Sequence, residues 1–188
     1  MANSNTFGAL YNLTGPTSAT ETAIAAVAGG TVRAVLGVRN DVSGGLFDGR
    51  PFKVRVVSSC VATGAGNFTV NLYWNVGTNT NLTTFTSDVL VIGSGAIAAA
   101  SKPCTSFMEA TVIWDSALQQ LAGFWNEAAG LNNLITTPAV VKTSAAIVAN
   151  TTLASGLTNV SQIQFFVTHT CSANITSSKL VELAIDAI

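Results

Sequence analysis

The sequence predicts an all-β domain: a two-sheet antiparallel β-sandwich of jelly-roll type with an extended N-terminal arm. Three observations carry that prediction. Apolar and polar residues alternate with period two in several segments, the pattern of a strand with one face in a core and the other in solvent. These segments are short and separated by clusters of Gly, Asn, Ser and Asp, which form turns. No region alternates strands with amphipathic helices, as a parallel sheet would require. The connections are unequal in length, which favours Greek-key crossing over a simple meander and a jelly roll over an immunoglobulin-like sandwich. In the latter the Cys–Trp–Cys arrangement would fail, because Trp74 follows Cys60 but Cys104 precedes the wrong strand.

The elements follow in order. Residues 1–30 are polar, then rich in Ala and Gly, with Phe7, Leu10 and Tyr11 as the large anchors before Gly15-Pro16. They read as an arm or an extended strand on the outside of the domain, and residues 21–28 are compatible with a helical turn or two. The sandwich is assigned to residues 31–188. Its first strand covers 31–39, where Val32, Ala34, Leu36 and Val38 alternate with Thr31, Arg33, Val35 and Gly37. A turn-rich loop leads to a strand over 52–62. The cleanest alternation is 67–76, with Phe68, Val70, Leu72 and Trp74 opposed to Thr69, Asn71, Tyr73 and Asn75. Further strands are expected at 83–92, 105–114, 119–128, 162–171 and 179–187, with a turn at Gly93-Ser94-Gly95. Residues 138–149 fit either a strand or a short helix. In the last strand Val181, Leu183, Ile185 and Ala187 oppose Leu180, Glu182, Ala184 and Asp186.

Composition narrows the function. The chain of 188 residues carries 9% charged and 48% hydrophobic residues, against about 25% charged in an ordinary soluble domain. Charged residues are what interface cores lack, so a surface built from Thr, Ser, Asn, Gln and Ala suits a subunit covered by neighbours. The net charge of −1 gives no reason to expect nucleic acid. No apolar run is long enough to span a membrane, since residues 92–101 are broken by Gly and Ser. The start Met-Ala-Asn-Ser-Asn-Thr lacks the features of a signal peptide, so synthesis is expected in the cytoplasm. Cys60, Cys104 and Cys171 then read as buried free thiols. The six Asn-x-Ser/Thr sequons read as a by-product of Asn and Thr richness.

Sites of chemistry are sparse, and neither cofactor nor metal is expected. His169 lies in phase with Phe165 and Val167, as a packed histidine would; a Ser-His-Asp triad would use it, but no Gly-x-Ser-x-Gly elbow holds a nucleophile. Glu109 and Glu127 form the one carboxylate pair that a hairpin around Asp115 would bring together for glycoside hydrolysis, against the simpler reading of two solvent-side residues. Asp41 and Asp48 are weak candidates for calcium. Phe124 and Trp125 are adjacent in a strand, so one must face outward, into an interface or onto a sugar. Arg33, Arg39, Arg50, Lys53 and Arg55 gather five of the eight basic residues, either as a solvated face or as a footprint for an acidic protein partner.

With its strands laid out, the chain resembles the small jelly-roll structural proteins of tailed bacteriophage virions. The resemblance covers residues 31–188. It rests on Phe-Lys-Val-Arg-Val after a Gly-Arg-Pro loop (49–56), on Gly-Asn-Phe-Thr-Val-Asn-Leu-Tyr-Trp (66–74), on Phe-Met-Glu-Ala-Thr-Val-Ile-Trp-Asp (107–115) and on Leu-Ala-Gly-Phe-Trp (121–125). It implies a capsid cement or decoration subunit on the head surface, without catalytic residues, partnered by the major capsid protein and by itself as a homotrimer. A carbohydrate- or receptor-binding sandwich of a head fibre or tail is the alternative. Phe7, Tyr11, Arg33, Arg39, Arg50, Arg55, Phe124 and Trp125 are the candidate interface residues.

Overall fold

The computed structural model describes residues 6–15, 17–23, 34–37, 51–76, 89–100, 103–115, 120–131, 140–150 and 162–188. They form twelve strands: β1 (Thr6–Gly15), β2 (Thr22–Ala23), β3 (Ala34–Gly37), β4 (Pro51–Ala62), β5 (Ala65–Val76), β6 (Val89–Gly93), β7 (Ile97–Ala100), β8 (Cys104–Asp115), β9 (Gln120–Leu131), β10 (Val140–Asn150), β11 (Gln162–Cys171) and β12 (Ile175–Ala187). Among the described residues there is no helix, and no helix long and apolar enough to cross a membrane.

The strands make two antiparallel sheets. The first runs β1-β12-β4-β8-β9-β10; in the second, β11 and β5 are central, β2 and β3 flank β11, and β6 and β7 flank β5. Pairings nest from the chain's ends toward its middle: β1 with β12, β2 and β3 with β11, β4 with β8, β5 with β6 and β7. A long hairpin coiled into two sheets in this way is a jelly roll. The β9–β10 hairpin extends the first sheet beyond β8.

The amino-terminal segment does run extended on the outside, but as part of the sandwich. β1 is an edge strand hydrogen-bonded to β12 from Thr6 to Gly15, and Thr22–Ala23 joins the second sheet through β11. Residues 21–28 are compatible in sequence with a helical turn, but Thr22–Ala23 is strand, its backbone taken up by pairing with β11; residues 24–28 lie outside the described set.

Side-chain alternation builds the core. Phe52, Val54, Val56, Ser58, Cys60 and Ala62 of β4 point inward, facing Phe68, Val70 and Leu72 of β5 and Phe165 and Val167 of β11. Phe52 meets Phe165 edge to face at 6.1 Å, joining the two sheets.

Two expectations need correction, and one left open between two readings is settled. Gly93-Ser94-Gly95 is no turn between paired strands, because β6 and β7 both lie antiparallel to β5 and form one interrupted strand. At the break, Ser94 accepts a hydrogen bond from the Val70 amide through Oγ (2.9 Å), and Gly95 takes φ 66°, a left-handed conformation that favours glycine. In β12 a register shift between Leu180 and Glu182 resets the phase, so Leu180 is core while Val181 is half-buried. Residues 140–150, open between strand and helix, are strand.

Candidate functional site

Two polar arrangements and one mixed face stand out. The first arrangement is internal. His169 projects from β11 into the core, its Nδ1 2.9 Å from Ser178 Oγ on β12 and its Nε2 2.9 Å from Ser58 Oγ on β4. The imidazole therefore ties the second sheet to the first. It is 0% exposed, and burial holds its pKa down near 3. The neutral ring accepts through one nitrogen and donates through the other, so one serine donates to it and one accepts from it. Phe68 packs edge-on against it at 4.9 Å. The nominal triad arrangement is not formed, because neither ring nitrogen meets a carboxylate and the ring is shut off from solvent.

The second arrangement covers the outer face of the second sheet. Glu21 Oε1 accepts hydrogen bonds from Asn71 Nδ2 (2.7 Å), Tyr73 Oη (2.9 Å) and Thr168 Oγ1 (2.5 Å). Beside it Tyr73 stacks on Phe166 at 5.3 Å. Phe166 and Thr168, which alternation assigns to solvent, are buried. Glu21 thus clasps the amino-terminal segment to the sheet, aided by the Cys171 amide donating to the Ser18 carbonyl at 2.7 Å.

The outer face of the first sheet is accessible and mixed in character. Lys53 of β4 pairs with Glu109 of β8 at 3.0 Å. Arg55 Nη2 bridges Glu182 (3.1 Å) and Asp186 (3.0 Å) of β12. Next to this ionic strip stand three exposed apolar side chains on β8 and β9: Phe124 at 61%, Phe107 at 43% and Ile113 at 42%. Register sets Phe124 level with Thr111 and Lys53, diagonal to Ile113, while Phe107, level with Val57 and Ala128, lies further along β8 on the other side of Glu109.

The described members of the expected interface set can be placed on this geometry. Phe124 is the outward member of the Phe124–Trp125 pair. Arg55 lies on the face but is ion-paired, as is Lys53, so the described part of the basic cluster is no free basic footprint. Phe7 and Tyr11 belong to β1, where Tyr11 opposes Glu182; their side chains, like those of Trp74, Trp114 and Trp125, lie outside the described set. So do Arg33, Arg39, Arg50, Asp41 and Asp48. Glu109 opposes Asn126, and Glu127 opposes Met108, so the two carboxylates are out of register, and Glu109 is engaged by Lys53. Among the described residues no His, Cys, Asp and Glu group could hold a metal. Phe107 and Ile113 went unremarked in the sequence, although their phase opposite Met108 and Val112 signals an outward position.

No protein-family model matches the chain, and no curated protein does. Solved structures give remote likenesses. The CBM2 module of the evolved Dit of Lactobacillus casei BL23 phage J-1 is 10% identical, with 82% of this chain and 68% of that one covered and a TM-score of 0.28. A non-specific endo-beta-1,3(4)-glucanase from family GH16 is 7% identical, covering 82% and 71%, with a TM-score of 0.27. Infectious bursal disease virus, Gx strain, is 6% identical, covering 100% and 41%, with a TM-score of 0.26. Likenesses this weak carry no argument about function.

Proposed function

We propose that this chain is a non-enzymatic virion structural protein, a cement or decoration subunit that binds the assembled head of a tailed phage. The observation that carries the reading is the outer face of the first sheet. Ile113 and Phe124 stand exposed near one another, and Phe107 is exposed on the same face beyond the Lys53–Glu109 pair, so that aromatic side chains flank charges that are already paired. Aromatic anchors with few unpaired charges are the composition of an interface centre. The low charge of the whole chain and its resemblance to small jelly-roll virion proteins support the same reading.

The mechanism is mass action. A subunit that binds the assembled shell and not its loose parts lowers the free energy of the shell. A stable contact needs more than about 1,000 Å², and the three-fold positions of an icosahedral head favour a homotrimer over the commoner dimer.

The test is co-sedimentation of purified protein with heads that lack it. The double variant Phe107→Ser, Phe124→Ser should bind at least about tenfold more weakly, while its thermal midpoint stays within about 2 °C, since both side chains are already exposed. Binding at full affinity by the folded variant would remove this face from the proposal. Glycan-array binding by the wild type, lost on Trp125→Ala, would replace the proposal with the carbohydrate-binding alternative.

A further inference from the structure

We propose that Cys60 and Cys104 form a redox latch, a cross-strand disulfide that closes between β4 and β8 in an oxidising medium and leaves Cys171 in the thiol form. The inference is independent of the function proposed above.

The geometry selects one bridge of the three that three cysteines allow. Cys60 and Cys104 are register partners on neighbouring antiparallel strands. Both side chains are on the core face, 2% and 0% exposed, and the Cys104 side chain hydrogen-bonds that of Cys60. Register partners in an antiparallel pair have Cα atoms about 4.5 or 5.5 Å apart, and a disulfide accepts Cα separations of about 4.4–6.8 Å. Cys171 is on β11 of the other sheet, and facing sheets pack about 10 Å apart. Its own side chain hydrogen-bonds Ser178. Ser178 is the register partner of Cys60 on β12, so Cys171 lies near the pair, but its thiol is turned to that hydroxyl and it has no cysteine as a register partner, whereas Cys60 and Cys104 face each other directly.

The same surroundings keep the thiols reduced until conditions change. The hydrogen bond with Cys104, followed by burial, pushes the Cys60 thiol well above its ordinary range, and the thiolate is the reactive form. All three cysteines are buried thiols, so the folded protein resists exchange, and the latch closes as the chain folds or when the sheet opens. The oxidant is a small disulfide such as oxidised glutathione. One cysteine thiolate attacks it, forming a mixed disulfide and expelling one thiolate, which takes up the proton that the cysteine released. The second cysteine then attacks the protein-bound sulfur of that mixed disulfide, forming the Cys60–Cys104 bond and expelling the second small thiol. Two protein thiols are oxidised and one small disulfide is reduced to two thiols.

The experiment refolds the full chain from urea in a buffer of oxidised and reduced glutathione, which removes the access barrier of the folded core. Remaining thiols are alkylated, and linked peptides are mapped by mass spectrometry. The expected product has residues 60 and 104 linked and residue 171 alkylated, with a thermal midpoint higher than the reduced protein's by about 5–15 °C. Cys171→Ser should keep both the link and the shift; Cys60→Ser and Cys104→Ser should lose both. A bond to Cys171, three alkylated thiols in the refolded protein, or a linked species no more stable than the reduced one would each overturn the latch. If the Cys60 or Cys104 variants fail to fold, the wild-type and Cys171→Ser maps decide the question alone.

Discussion

Acid should loosen this sandwich through His169. In the folded protein the ring is 0% exposed and its pKa is near 3; in the unfolded chain it returns to the ordinary 6.5. Between these values the unfolded state binds a proton that the folded state refuses. The folded pKa is the lower one, so the contribution is full above about pH 6.5 and is lost as pH falls toward 3. The slope is about 1.4 kcal/mol per pH unit, or roughly 5 kcal/mol over the whole window. A domain of ordinary stability has about 5–15 kcal/mol in total, so this one ring is a large part of it. Carboxylates also titrate in acid, which makes the wild-type profile alone ambiguous. His169→Gln separates them, since an amide still donates and accepts toward Ser58 and Ser178 but does not titrate. At pH 7 the variant should be about 1–2 kcal/mol less stable. The difference should shrink as pH falls and reverse near pH 5. Urea unfolding followed by tryptophan fluorescence at pH 7, 5.5 and 4 measures it, with the imidazole Cε1 proton shift as a direct check. Profiles that stay parallel, or a folded-state ring that titrates near 6.5, would refute the reasoning.

Two further outcomes follow from close contacts. At Gly123 in β9 an added Cβ would sit 2.0 Å from the Thr111 carbonyl oxygen and 2.8 Å from Val112 Cα. Both are backbone atoms of β8 that no rotamer change can move, so Gly123→Ala should cost about 2–4 kcal/mol by urea unfolding; a change below about 0.5 kcal/mol would contradict the packing. Glu21→Ala leaves the buried Thr168 hydroxyl and two other donors without their shared acceptor, and should cost about 1–3 kcal/mol, with faster proteolysis of residues 6–23. Glu21→Gln, which keeps an acceptor oxygen, should lose less than half as much; equal losses for both variants would argue against the clasp.

The fold was legible wherever one strand face meets solvent. In β4, Phe52, Val54 and Val56 alternate with Pro51, Lys53 and Arg55, and the structure buries the first set. β5 repeats the case with Phe68, Val70 and Leu72. The reading failed where tertiary features override period two. The bulge in β12 returns Leu180 to the core by a register change that residue types do not encode. Gly93-Ser94-Gly95 has the composition of a turn, yet Ser94 satisfies the Val70 amide and carries the strand past its break.

The polar sites were harder to see, because their partners are remote in sequence. Ser58 and Ser178 occupy inward positions on strands whose other serines face solvent, and their burial is intelligible only once His169 arrives from 111 residues away in one case and nine in the other. Thr168 and Phe166 look like the solvent side of β11. They are buried because Glu21, 147 residues earlier, crosses the second sheet with its carboxylate over Thr168. The outer face of the first sheet has no such cover among the described residues. There the chain solves its few charges locally, with Lys53 on Glu109 and Arg55 on Glu182 and Asp186, and leaves the aromatic side chains exposed. Ion pairs at this exposure contribute at most about 1 kcal/mol each, so they do little for the stability of the fold. Their effect is on the surface itself: charges already matched to one another can be covered without leaving an unpaired ion behind, while Phe107 and Phe124 remain available as anchors.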